Sequence, residues 1–156
     1  MIEVDIPDFG KLTLEHLVLD YNGTIACDGA LLAGTEERLR NLAGRLQVHI
    51  VTADTFGRAA GELASLPLTL KILPAGRQAE AKQSYIETLG AGCTVCIGNG
   101  RNDRMMLERA ALGIGIIEAE GAAMQALSAA DACTRSINEA LDLLIHPMRL
   151  IAVLRS

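Results

Sequence analysis

The sequence has no tryptophan and only two tyrosines and two phenylalanines among its 156 residues. Platforms on which a base or sugar ring could stack are therefore few. Clusters or stripes of lysine and arginine are missing too: 14 basic residues against 19 acidic ones leave a net charge of −5, which argues against nucleic acid as a partner. No apolar run reaches the roughly 18 uncharged residues that a membrane span needs. The nearest candidate, Leu141 to Leu154, is interrupted by Asp142, His146, Pro147 and Arg149, so it reads as a packed terminal helix. The opening, Met1-Ile2-Glu3-Val4-Asp5, lacks the basic start and apolar core of a signal peptide, and the expected location is the cytoplasm. Four cysteines, Cys27, Cys93, Cys96 and Cys133, would stay reduced there. Cys93 and Cys96 have the spacing of a metal-binding or redox pair. No second pair accompanies them, and Thr94 to Ile97 resembles a buried strand, which favours small core residues. His16, His49 and His146 show no partner spacing.

What is present is aliphatic. Half the residues are hydrophobic and 21% are charged, the composition of a chain that buries one sizeable core. No repeat, linker or low-complexity tract marks a boundary, so residues 1 to 156 are expected to form one domain. Alternation in Ile2, Val4 and Ile6, turn formers at Pro7, Asp8 and Gly10, and a second run from Leu12 predict a hairpin. After Leu17-Val18-Leu19, short apolar runs at Val48 to Val51, Leu68 to Ile72, Thr94 to Ile97 and Leu112 to Ile116 alternate with segments of helical period. Helix starts are expected at Thr35, Thr55 and Asn102, and Gln78 to Leu89 should stop at Gly90. Such alternation predicts a three-layer, Rossmann-like α/β fold: a parallel sheet with helices on both faces. The hairpin is expected to add an antiparallel edge to that sheet.

In open α/β sheets ligands bind beyond the carboxyl ends of the strands, so the polar residues that follow each apolar run carry the information. Here they are Asp20-Tyr21-Asn22-Gly23-Thr24, then Thr52 and Ala53, then Gly98-Asn99-Gly100-Arg101-Asn102-Asp103. Lys82 falls in the early turns of a helix between the last two. Together they supply a carboxylate nucleophile, a hydroxyl, an ammonium and a second carboxylate, the equipment for moving a phosphoryl group through an aspartyl-phosphate. A phosphoryl dianion approaches a carboxylate only when its charge is neutralised. Lys82, backbone N–H groups at the Gly-rich turn and a cation held by Asp20 and Asp103 would do that, and oxygen ligands suit Mg²⁺.

Four motifs in this order resemble the haloacid dehalogenase (HAD) phosphohydrolase superfamily: DxxGT at Asp20 to Thr24, a strand ending in Thr52, Lys82 near a helix start, and a GDGxND-like signature at Gly98 to Asp103. The resemblance runs from about Leu12 to Gly115. It implies Asp20 as nucleophile, Thr52 holding the transferring phosphoryl oxygen, and Lys82 paired with Asp20 and the phosphate. Asp103 would anchor Mg²⁺ together with Asp20 and the carbonyl of Asn22, with Asn99 near the cation. Thr24 would support the nucleophile loop. Gly23, Thr24, Ala53 and Asn102 complete the expected substrate-binding set.

Two departures stand out. Family phosphatases carry a second aspartate two positions after the nucleophile, as acid and base, where this chain has Asn22. An amide cannot move that proton, so slow turnover or a long-lived aspartyl-phosphate is expected. Asn99 replaces the first aspartate of the fourth motif and removes a charge beside the cation. The missing acid/base and the GDGxND-like ending are closest to the cation-pump branch, the P-type ATPases, so the chain resembles a soluble counterpart of their phosphorylation domain. Between Thr24 and Thr35 lie only ten residues, Ile25 to Gly34: a short flap with Cys27 and Asp28, with no room for a cap domain. An open site suits a small phosphorylated substrate or a phosphorylated macromolecule, or one covered by a second subunit. Leu143 to Leu154 reads equally as an interface in a homo-oligomer or as core packing. A phospho-acceptor regulator and an inactive scaffold are the alternative functions.

Overall fold

The computed structural model describes residues 1–53 and 57–156, so the helix start expected at Thr55 lies outside the described residues. The chain opens with β1 (Ile2–Ile6) and β2 (Gly10–Leu14), then β3 (His16–Leu19), the short pair β4 (Ala26–Cys27) and β5 (Ala30–Leu31), and α1 (Thr35–Ala43). It continues through β6 (Gln47–Thr52), α2 (Ala59–Leu63), β7 (Thr69–Ile72), α3 (Gln78–Leu89) and β8 (Thr94–Gly98). The last part is α4 (Arg104–Arg109), β9 (Leu112–Ile116), α5 (Met124–Ala129), β10 (Ala132–Thr134), α6 (Ile137–Ile145) and α7 (Pro147–Leu154). Six strands form one sheet in the order β10-β9-β8-β3-β6-β7, and every neighbouring pair is parallel. This is the Rossmann-like architecture expected from the alternation of runs.

The apolar runs are continuous because both sheet faces are covered. Leu17, Leu19, Ile50 and Ile97 point to one side, into a core shared with Leu39 and Leu42 of α1 and Leu141 and Leu144 of α6. Val18, Val51 and Cys96 point to the other, against Ile86 of α3, Met106 and Leu107 of α4 and Ala126 of α5. Successive residues thus serve opposite layers, as strand geometry requires. Cys96 belongs to this second core, as read from the sequence, and all four cysteines are free thiols.

The N-terminal hairpin corrects one expectation. β1 and β2 pair only with each other, Ile2 opposite Leu14 and Ile6 opposite Gly10, and form a separate ribbon rather than an edge of the main sheet. The reason is topological. β2 runs straight into β3, the strand with β8 and β6 already on its two sides, so no free edge is within reach. The ribbon instead lays Ile2, Val4, Ile6, Leu12 and Leu14 on the first core. Glu15, at the corner, donates its N–H to the Cys93 carbonyl and accepts from the Gln47 N–H.

Helix ends also differ in detail. Gly34, at φ 83°, is the cap of α1, and buried Thr35 is its first residue, donating its hydroxyl to Asn138 on α6 at 3.5 Å. Asn102 lies in a 3-10 turn, Arg101–Asp103, that delays α4 to Arg104. α3 begins and ends where expected. The apolar C-terminal segment is two helices, broken where Pro147 takes the first turn of α7. Leu141, Leu143, Leu144 and Leu150 are buried in the first core, while Met148 and Val153 face outward. No helix among the described residues is long and apolar enough to cross a membrane.

Close packing between β9 and α4 gives a sharp test of this arrangement. A Cβ on Gly113 would stand 2.5 Å from the Leu107 carbonyl oxygen, a backbone atom that cannot swing aside. Gly113→Ala is expected to destabilise the protein by about 1–3 kcal/mol, the usual cost of overpacking. Urea unfolding monitored by circular dichroism checks this, and an unchanged midpoint would contradict the packing.

Candidate active site

The chain runs outward from β3 to β6 and β7, then crosses back to β8 on the other side. That reversal leaves a crevice beyond the carboxyl ends of β3 and β8, where ligands bind in such sheets. A cavity of about 250 Å³ lies there, lined by Asp20, Asn22, Thr52, Ala53, Gln78, Asn99, Gly100, Asn102 and Glu120. Six of the residues singled out in the sequence are in this wall: Asp20, Asn22, Thr52, Ala53, Asn99 and Asn102.

The other four stand behind it. Lys82 and Asp103 are 1% and 0% exposed, and Lys82 Nζ donates to Asp20 Oδ1 and to Asp103 Oδ1, both at 2.6 Å. Asp103 Oδ2 accepts from the Gly100 N–H at 2.8 Å. Gly98 leaves the room this needs, since a Cβ there would stand 2.5 Å from Asp103 Cγ. Thr24 is fully buried and does not line the cavity. Its hydroxyl donates to Asn99 Oδ1 at 3.2 Å, which suits loop support rather than contact with substrate. Asn99 Nδ2 in turn donates to the Gly121 carbonyl at 2.9 Å, so this amide ties the loops after β3, β8 and β9 together. Gly23 lets the loop after β3 pass beneath it: its φ is +75°, and a Cβ would stand 2.6 Å from Asn99 Nδ2.

Charge explains the site's chemistry. Burial raises the Asp20 carboxyl to about 6, helped by the negative Asp103 and opposed by Lys82 and a backbone hydrogen bond from Tyr21. Burial alone would lower the Lys82 ammonium, but Asp20 and Asp103 more than reverse this and hold it above its ordinary range. One cation is thus locked between two carboxylates, and the cluster carries a net negative charge that a further cation would relieve. A divalent ion fits the donors. The Asp20 carboxylate lines the cavity, and Asn22 Oδ1 is a buried acceptor with no hydrogen-bond partner among the described residues, which is costly unless something is bound there. Asp20 and Asn22 would hold the ion, with Asp103 supporting from behind and Asn99 offering only a spare lone pair.

A pH effect follows. Asp20 ionises in the folded state near 6, above its ordinary value of 3.8. A raised carboxyl contributes stability that is complete below the unfolded value and is lost as the pH rises through the folded one. Without divalent ions, the protein should therefore lose on the order of 3 kcal/mol from this group between about pH 4 and pH 7. Thermal unfolding in chelator across that range checks the sign, and Asp20→Asn should remove the step.

Sequence reading missed Gln78 and Glu120. Gln78 accepts from Asn102 Nδ2 at 2.7 Å. Glu120 accepts the Asp28 N–H of the flap at 3.2 Å, and its Oε2 would stand 3.1 Å from a Cβ on Gly23. It follows the apolar run of β9 by four residues, so the rule that located the other polar residues also reaches it. The flap itself is a minimal hairpin, β4 with β5, turned at Asp28 and Gly29 with φ of 51° and 80°. The Tyr21 hydroxyl donates to the Gly29 carbonyl at 3.0 Å and ties the flap down.

Comparison with known proteins agrees with this fold. Among solved structures, a protein from Legionella pneumophila described as a subfamily III A hydrolase of the HAD superfamily superposes with a TM-score of 0.71, at 19% identity over 90% of this chain and 86% of its own. The chain has the HAD fold. The cobalt-bound deoxy-D-mannose-octulosonate 8-phosphate phosphatase of Haemophilus influenzae shares this HAD fold at a TM-score of 0.72, with 13% identity over 92% and 94% of the two chains. The Moraxella catarrhalis 3-deoxy-D-manno-octulosonate 8-phosphate phosphatase, solved with magnesium, phosphate and KDO, matches at 0.70, with 15% identity over 85% and 86%. No family model matches the sequence. Two uncharacterized proteins of Methanocaldococcus jannaschii do. One is 44% identical over 61 residues, which span 39% of this chain and 66% of that protein. The other is 49% identical over 39 residues, 25% of this chain and 89% of that shorter protein, and the chain belongs to its family.

Proposed function

We propose that the protein is a Mg²⁺-dependent phosphohydrolase that acts through Asp20 on a small phosphomonoester. One observation carries the reading: Asp20 at the lip of a polar cavity, held by a buried lysine that is shared with a second buried carboxylate. An Asp20 oxygen would attack phosphorus while the bond to the leaving oxygen breaks. Water would then attack the same phosphorus, and the Asp20–phosphorus bond breaks to return the free carboxylate. Mg²⁺, when bound, would neutralise charge on the phosphoryl oxygens. Thr52 would orient one phosphoryl oxygen, Lys82 would keep Asp20 ionised and aimed, and Asn102 and Ala53 would border the phosphate. The similarity to phosphatases of small phosphorylated sugars supports a small substrate.

The second reading is a phospho-acceptor, and Asn22 favours it. No carboxylate stands there to protonate the leaving group or to activate water, so the phosphorylated state of Asp20 would persist. One experiment separates the two. The protein is incubated with Mg²⁺ and a panel of phosphomonoesters that includes acetyl phosphate, and phosphate release is followed. Steady release supports the enzyme, and a single stoichiometric burst supports the acceptor. Asp20→Asn should abolish either signal. Release undiminished in that variant, or no signal with any substrate, would sink both.

A further inference from the structure

A second set of ligating atoms lies at the other end of the sheet, away from the phosphoryl site. Glu15 precedes β3, His16 begins it, and Cys93 immediately precedes β8. A carboxylate oxygen of Glu15, a ring nitrogen of His16 and Cys93 Sγ all lie within 4.8 Å of one another. Strand register creates this meeting: His16 is opposite Thr94, so Glu15 and Cys93 fall side by side, joined by the Glu15 N–H to Cys93 carbonyl bond at 2.8 Å.

His16 is oriented as ligating histidines are. Its Nδ1 is 3.2 Å from His49 Nε2, and His49 Nδ1 is 2.9 Å from the Tyr85 hydroxyl. A ligating imidazole needs its other nitrogen to donate to a neighbour, which fixes ring and tautomer. Here Nδ1–H of His16 can donate to His49 Nε2, and Nδ1–H of His49 to Tyr85, which leaves the lone pair of His16 Nε2 for a cation. Cys93 donates its thiol hydrogen to the Gly90 carbonyl at 3.1 Å, a hydrogen bond that cation binding would replace.

We propose that Glu15, His16 and Cys93 form a site for a thiophilic divalent cation of the zinc type, with water in the fourth position. Thiolate and imidazole select such an ion over Mg²⁺, and one carboxylate completes a common three-ligand set. Ligands at about 2.0–2.3 Å from zinc must close slightly from the present spread. Glu15 is exposed and Cys93 half-buried, so both have freedom to turn. Binding would release the Cys93 thiol proton to solvent and fasten the starts of β3 and β8, the strands whose far ends carry Asp20 and the Asp103 loop.

A rival thiol cluster exists at Cys27, Asp28 and Glu120, and the test discriminates. The full chain, in excess Mg²⁺, is titrated with Co²⁺ while the thiolate-to-cobalt charge-transfer band is recorded. We expect one equivalent to bind, with displacement by Zn²⁺. The band should survive in Cys27→Ser and vanish in Cys93→Ser, and Glu15→Gln should weaken binding roughly 10- to 100-fold. No band in the native chain, a band lost with Cys27 instead, or unchanged affinity in Glu15→Gln would each overturn the proposal. The last variant alters an exposed side chain, so it decides the matter even if Cys93→Ser does not fold.

Discussion

Asn22→Asp is expected to raise the steady rate of phosphate release by roughly 10²- to 10⁴-fold, the usual worth of a positioned general acid and base. The side chains have the same shape, so the change replaces an amide by a group that can give a proton to the leaving oxygen and take one from water. Its position supports this use. Asn22 lines the cavity with Asp20, and its Oδ1 is buried without a hydrogen-bond partner among the described residues. A further carboxylate at this site also adds repulsion to Asp20 and Asp103, so without divalent ions the variant should unfold at lower temperature than the native chain. Phosphate release under saturating substrate and Mg²⁺ checks the first effect, and thermal unfolding in chelator checks the second. A rate unchanged within a factor of two would mean that residue 22 does not occupy the proton-transfer position.

Lys82→Met should cost about 3–5 kcal/mol of stability in the absence of divalent ions. Its ammonium bridges Asp20 and Asp103 at 2.6 Å on each side, and removing one partner of a buried ionic group leaves the other charges uncompensated. Methionine keeps most of the stem's volume, so the loss reports charge rather than a cavity. One of the two carboxyls should then hold a proton well above the usual range, and stability should recover as the pH falls. Mg²⁺ should restore part of the loss by mass action. Denaturant unfolding at two pH values, with and without Mg²⁺, measures all three effects. A loss below about 1 kcal/mol would show that the bridge is not formed in solution.

Much of this site could be read before any coordinates, because its residues sit immediately after apolar runs long enough to be recognised as buried strands. Asp20 follows Leu17-Val18-Leu19, Thr52 ends β6, and Asn99 follows β8. What escaped was whatever depends on register or on small residues. Ala132-Cys133-Thr134 forms a sixth strand from three residues with little apolar signal. His16 and His49 face each other across neighbouring strands, although Val18, not His16, is the register partner of His49, an offset that no spacing along the chain reveals. The hairpin was recognised but misplaced, since nothing local says that β2 feeds the middle of a sheet. Thr24 was expected both to support the loop after Asp20 and to join the substrate-binding set; it is fully buried and its hydroxyl donates to Asn99, and a hydroxyl in that loop serves either purpose equally well on sequence alone.

The scarcity of aromatic rings has an optical consequence. With no tryptophan and two tyrosines, the intrinsic ultraviolet emission comes from Tyr21 and Tyr85 alone. The first, next to Asp20 in the chain, tethers the flap through Gly29, and the second terminates the paired imidazoles. Each of the two proposed ligand sites thus has its own built-in fluorophore, and Tyr85→Phe would leave Tyr21 as a single probe beside the flap without any attached dye.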